Sequence, residues 1–157
     1  MGAKDVDAAV ARLNSGDRSA TTQLWFAIQN MLTAAANVSK ACWGQSGSLA
    51  KERKLLRKSI GISNKSPLRK TGMRNNFEHY DERLDMWWEK SKQHNHADMN
   101  IGAIGGLAAI DSFRELDPST MEVIFWGRRY DLRGLVAEAE RLLPVAEAEA
   151  AKPHWQP

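Results

Sequence analysis

Arg74, Asn75 and His79 stand at a spacing suited to chemistry on a phosphate ester. Cutting RNA without a metal needs a group that takes the proton of the 2′-hydroxyl and a cation that holds the phosphate. Histidine titrates near neutrality and fits the first role. Arginine stays charged and grips phosphate oxygens in a fork, which fits the second. Asn75 is suited to orient either the imidazole or the phosphate. Other patterns are weaker. His94, His96 and Asp98 look like metal ligands, but alternating spacing in a polar stretch without cysteines is poor ground for a site, and no metal or cofactor is expected. The glycines of residues 101–106 match neither a P-loop nor a dinucleotide fingerprint, so that stretch reads as a flexible connector.

The elements that must position these residues are mostly helical. A short helix is expected over Asp5–Leu13, ending near Gly16. A second covers Ser19–Ala41, with Leu24, Trp25, Ile28, Met31, Leu32 and Ala35 at amphipathic spacing. Gly44–Gly47 reads as a polar turn. A third helix starts at an N-cap Ser48, runs to Ile60 with Leu49, Leu55, Leu56 and Ile60 apolar, and stops at Gly61. One long helix is expected from Pro67 to Lys92, with Ser66 as its cap and Thr71 as a second start. Its apolar stripe is Met73, Phe77, Tyr80, Leu84 and Trp87. Residues 93–100 are polar loop, Leu107–Leu116 has no clear pattern, and Asp117-Pro118-Ser119 is a turn. Met121–Trp126 reads as a strand and Arg128–Leu132 as its return. A last helix opens at Asp131 or Leu132, apolar at Leu135, Val136, Ala139, Leu142 and Leu143 and perturbed by Pro144. Residues 153–157 read as a frayed tail. The fold class is mainly α: one domain over 1–157, a helical core over about 5–92, then a small C-terminal antiparallel β-hairpin or meander and a final helix.

With Met73 set to zero at about 100° per residue, Asn75 falls near 200° and His79 near 240°, opposite the apolar stripe. The three site residues are therefore expected on an exposed face. Arg74 lies about 140° from His79, so two antiparallel helices across a twofold axis would have to pool their residues on one substrate. The segment Arg74-Asn75-x3-His79, set in a helix, resembles the catalytic motif of the HEPN superfamily. That resemblance implies a HEPN-like helical bundle, a homodimer with a composite site, and metal-independent ribonuclease activity of the toxin or antiviral-defence kind. His79 would be the general acid/base and Arg74 the phosphate ligand, with an antitoxin or other regulatory protein as partner. Glu78, Asp81, Glu82 and Asp85 put negative charge beside that site.

The charge pattern points to the same class of partner. The net charge is only +3, yet Lys51, Arg53, Lys54, Arg57, Lys58, Lys65, Arg69, Lys70 and Arg74 are opposed by Glu52 alone. A basic segment in a balanced chain suits a polyanion such as RNA. Hydrophobic residues at 43% are enough for a real core. The lone cysteine, Cys42, excludes an intramolecular disulfide and permits a reducing compartment. The first residues lack an apolar signal core and no run of about 18 apolar residues occurs, so a cytoplasmic, membrane-free protein is expected. Trp25, Trp87 and Trp88 are expected in the core or an interface. Three functions remain: a HEPN-like endoribonuclease, a non-catalytic module binding RNA or nucleotides through the basic segment, or a helical protein-interaction domain.

Overall fold

Apolar residues at helical spacing build most of the chain. A computed structural model describes residues 2–44 and 51–153. Six α-helices and a four-stranded sheet among the described residues make the protein mainly α. Ser48 and Leu49, most of the expected Gly44–Gly47 turn and residues 154–157 of the expected tail lie outside the described residues. The chain gathers into two compact units, Met1–Thr33 with Gly72–Arg133, and Ala34–Thr71 with Gly134–Pro157. No helix among the described residues is long and apolar enough to cross a membrane.

In the first unit, α1 (Gly2–Asn14) buries Val6 and Ala9, three positions apart on one face. It ends where Gly16 takes φ 91° and its N–H returns to the Leu13 carbonyl at 2.9 Å. Asp17 then accepts from the backbone N–H of Ser19 at 3.0 Å and from Arg12 Nε at 3.0 Å, which orders the turn into α2 (Ala20–Trp43). Leu24, Trp25, Ile28 and Leu32 of α2 are buried.

The expected helix Pro67–Lys92 is broken. Ser66 does cap Pro67–Arg69 through the Leu68 N–H at 3.3 Å, but that piece is a single 3-10 turn, and Lys70 leaves it extended. The helix restarts as α4 (Gly72–Glu78), in keeping with the second start at Thr71, and breaks again at His79 before α5 (Tyr80–Lys90). His79 has φ −103° and ψ 44°, although its N–H still bonds the Asn75 carbonyl at 2.9 Å. Neither Pro nor Gly lies at the break, so its cause is tertiary. α4 buries Met73 and Phe77, with Phe77 6.3 Å from Trp25, while α5 turns Tyr80 and Trp87 onto Phe113 at 5.4 and 6.0 Å. Two packing partners divide the single stripe, and Tyr80, Leu84 and Trp87 end only half-buried.

The sheet is larger than a hairpin. β1 (Asn100–Ile101), β2 (Glu115–Asp117), β3 (Glu122–Phe125) and β4 (Arg128–Asp131) lie in that order. β1 and β2 are parallel, and the other pairs are antiparallel. β3 and β4 are the expected pair. β1 and β2 are too short to show alternation, and only the distant partner makes them strands. At the Asp117–Thr120 turn, the Ser119 hydroxyl and the Ser119 N–H hold the Asp117 carboxyl down to about 2.

In the second unit, α3 (Arg53–Ser59) buries nothing, and Leu55 is 71% exposed, so the expected apolar face there is absent. Gly61, with φ 65°, closes α3, and the Ile62 N–H reaches the Arg57 carbonyl at 3.0 Å. α6 (Leu132–Ala150) enters this unit at Gly134 and buries Leu135 and Leu142, with Val136, Ala139 and Leu143 outside its core stripe. The helix runs through Pro144. Pro144 and Glu140 are both exposed there, so water can take the carbonyl that proline leaves unbonded.

Candidate active site

The break at His79 places its side chain about half in solvent, with Nδ1 3.2 Å from Oε1 of Glu82. A carboxylate this close to Nδ1 can steer the ring, and it leaves Nε2 without a side-chain partner among the described residues. Glu82 arrives there because α5 starts one residue after His79 and puts position i+3 back over the ring.

The other two motif residues are not where an exposed face would put them. The Arg74 side chain is 16% exposed and pairs with the Glu78 carboxylate one turn on. Its NH1 also donates to Asn75 Oδ1 at 3.3 Å, and its Nε is buried without a partner among the described residues. Residue 74 follows the buried Met73, about 100° from the stripe's centre, and so borders the core. Asn75 is half-buried and turns its amide oxygen to Arg74 instead of to the imidazole. It meets His79 through the backbone only. Arg83 reaches back to Asn76 Oδ1 at 3.0 Å and lies 3.7 Å from Glu82.

Beyond the motif, α5 faces a polar and aromatic cluster that the sequence did not reveal. His94, His96 and Asp98 have three different partners. His96 Nε2 lies 3.1 Å from the Tyr80 hydroxyl, and His94 Nε2 lies 3.0 Å from the Trp88 carbonyl. Asp98 accepts from the Arg114 N–H at 3.1 Å and from its guanidinium, Nε at 2.8 Å. Burial pushes the Asp98 carboxyl up, but the Arg114 bonds outweigh it and hold it below the usual range. Burial, then the nearby Asp98 charge, raises the Tyr80 phenol far above its ordinary value, so it remains a neutral hydroxyl. Asp111, 1% exposed, accepts from Trp87 Nε1 at 3.0 Å and Ser91 Oγ at 2.6 Å. Trp87 and Ser91 are one helical turn apart, and that spacing was the only local hint of a buried acceptor. Among the described residues, no group of three or more His, Cys, Asp or Glu side chains is arranged to hold a metal ion.

No protein-family model, curated protein or solved structure matches this chain. The local geometry therefore has to support any function by itself.

The basic segment divides into two groups. Arg53 donates to the Lys40 and Ala41 carbonyls, and Arg57 to the Cys42 carbonyl at 2.6 Å. These are carbonyls of the last turn of α2, of which Lys40 also accepts the Gly44 N–H at 3.0 Å, so both arginines are half-buried clamps on a helix C-terminus. The burial that accompanies this clamp also raises the Cys42 thiol, against the pull of Arg57 and Arg53. Lys51, Lys54, Lys58, Arg69 and Lys70 are exposed. Lys54, Lys58 and Arg57 line a groove of about 560 Å³, floored by Gly61 to Asn64, with no carboxylate in its lining.

Proposed function

We propose that this chain is a metal-independent endoribonuclease of HEPN-like type that works as a homodimer. The observation that carries the reading is the half-exposed His79, 3.2 Å from the Glu82 carboxylate and one turn from Asn75. His79 takes the proton of a 2′-hydroxyl, the oxygen attacks the adjacent phosphorus, and the P–O5′ bond breaks as the leaving oxygen takes a proton from water, which gives a 2′,3′-cyclic phosphate and a free 5′-hydroxyl. Arg74 supplies the cation, and a phosphate reaches it by displacing Glu78. A second copy brings its own Arg74 to the opposite side of the substrate. The activity fits a toxin or defence effector held in check by a regulatory protein. Labelled single-stranded RNA incubated with the protein in EDTA should yield fragments ending in 2′,3′-cyclic phosphate, and light scattering should give a dimer mass. Activity that vanishes on chelation, or activity in a monomer, would remove the mechanism.

A second reading, RNA binding without cleavage, is favoured by the groove beside Lys54 and Lys58. Lysines without carboxylate neighbours neutralise phosphates and release counterions, so affinity falls steeply with salt. Lys54→Glu with Lys58→Glu should weaken RNA binding at least ~10-fold and flatten the salt slope by about two phosphate contacts. Both side chains are exposed, so the melting temperature should hold. Arg53 and Arg57 do not belong in that variant, because reversing them would unclamp α2. Unchanged affinity in the lysine double variant would dismiss the groove as an RNA surface.

A further inference from the structure

Within the first unit, a concavity of about 560 Å³ lies between one face of α5 and the β3–β4 turn. Arg83 and Lys90 line it from the helix and Arg128 from β4, and no carboxylate contributes to the lining. Lys90 and Arg128 are exposed and have no carboxylate partner among the described residues. Arg83 is steered by Asn76 and lies 3.7 Å from Glu82, its one acidic neighbour. Three cations thus converge on a space that Met86, Ile110 and Trp126 make partly apolar.

Trp126 is the unusual member. Phe125 pairs with Arg128, so Trp126 and Gly127 form a two-residue hairpin loop, with φ of 49° and 74°. Positive φ at both positions calls for Asn-Gly, and a bulky residue at the first is strained. Space is tight at Gly127 as well, since a Cβ there would meet Ala109 Cβ at 3.3 Å. The tryptophan is held in this conformation by its N–H bond to the Ser112 carbonyl at 3.0 Å. Its ring rests on Phe113 at 5.7 Å and Phe125 at 5.3 Å, and its indole N–H is buried without a partner among the described residues. Strained backbone positions of this kind cluster at ligand sites.

We propose that this concavity binds the phosphate ester of a flat aromatic ring, that is, a nucleotide, either free or within a single strand. The phosphate sits among Arg83, Lys90 and Arg128, and the base lies against the part of the Trp126 ring that lines the space. None of these residues belongs to the Arg74–His79 motif, and the site stands whether or not His79 cuts RNA.

Calorimetry on the full-length protein tests this with four probes: a nucleoside monophosphate, its nucleoside, inorganic phosphate and a short single-stranded oligoribonucleotide. The monophosphate should bind more tightly than the nucleoside or inorganic phosphate. Lys90→Gln with Arg128→Gln, both exposed, should weaken it at least ~10-fold without lowering the melting temperature. Trp126→Asn, the residue such a turn prefers, should abolish the preference for the monophosphate over inorganic phosphate. Tighter binding of the monophosphate than of the oligonucleotide assigns a free nucleotide, and the reverse assigns a strand. No binding of any probe at millimolar concentration overturns the proposal. So does equal affinity for inorganic phosphate, or a glutamine double variant that binds as the native protein does.

Discussion

His79→Ala should lower RNA cleavage by at least ~10²-fold, the usual loss on removing a general acid–base group. The imidazole is about half exposed and, among the described residues, its polar side-chain contact is Glu82, so stability should change by under ~1 kcal/mol. Two companion variants separate the roles. Glu82→Gln keeps the shape but removes the charge beside the imidazole, so it should slow cleavage less than His79→Ala. Arg74→Ala should slow cleavage comparably to His79→Ala, since the phosphate charge would go unmatched in the transition state. It should also destabilise the fold, because Arg74 is largely buried against Glu78 and Asn75. Full cleavage by His79→Ala would sink the assignment outright. Loss of cleavage together with loss of the folded state, read by circular dichroism, would show that His79 is structural instead.

Phe113→Ala should destabilise the protein by about 3–5 kcal/mol, the range for truncating a buried aromatic. Phe113 is fully buried and is the hub of the first unit's aromatic cluster. Its ring lies 4.5 Å from His96, 5.4 Å from Tyr80, 5.5 Å from Phe125 and 6.0 Å from Trp87. Those neighbours come from α5, the loop before β1 and β3, so they cannot close on the void together. Urea unfolding should show the loss as a lower midpoint at constant slope. Phe113→Leu should recover a large part of it. A change under ~1 kcal/mol for Phe113→Ala would mean that the cluster is not the core of this unit. The same variant should loosen α5 and the β3–β4 turn, on which both the His79–Glu82 pair and the cationic concavity depend.

Much of this architecture is written in short-range chemistry. The stops at Gly16 and Gly61, the Ser66 cap before Pro67, the Asp117–Thr120 turn, the β3–β4 pair and the start of α6 depend on residues within about eleven positions of each other. Such signals survive in a single sequence because the interacting groups are neighbours in it. The spacing Arg74-Asn75-x3-His79 was legible for the same reason, and so was the exposure of His79. Arg74 was misplaced because its position, about 100° from the stripe's centre, borders the core and was taken as exposed. α4 and α5 pack on two different partners, Trp25 and Phe113, and the break at His79 follows from that division. Tertiary contacts also gave Asp98 to Arg114 and His96 to Tyr80, partners that sequence spacing does not show. Asp111 is buried by α5, some twenty residues away from it in sequence, and β1 exists only because Glu115 and Leu116 lie alongside it. The concavity of Arg83, Lys90, Arg128 and Trp126 is of this second kind. Its cations are dispersed in sequence and converge only because the β3–β4 turn comes to lie beside α5.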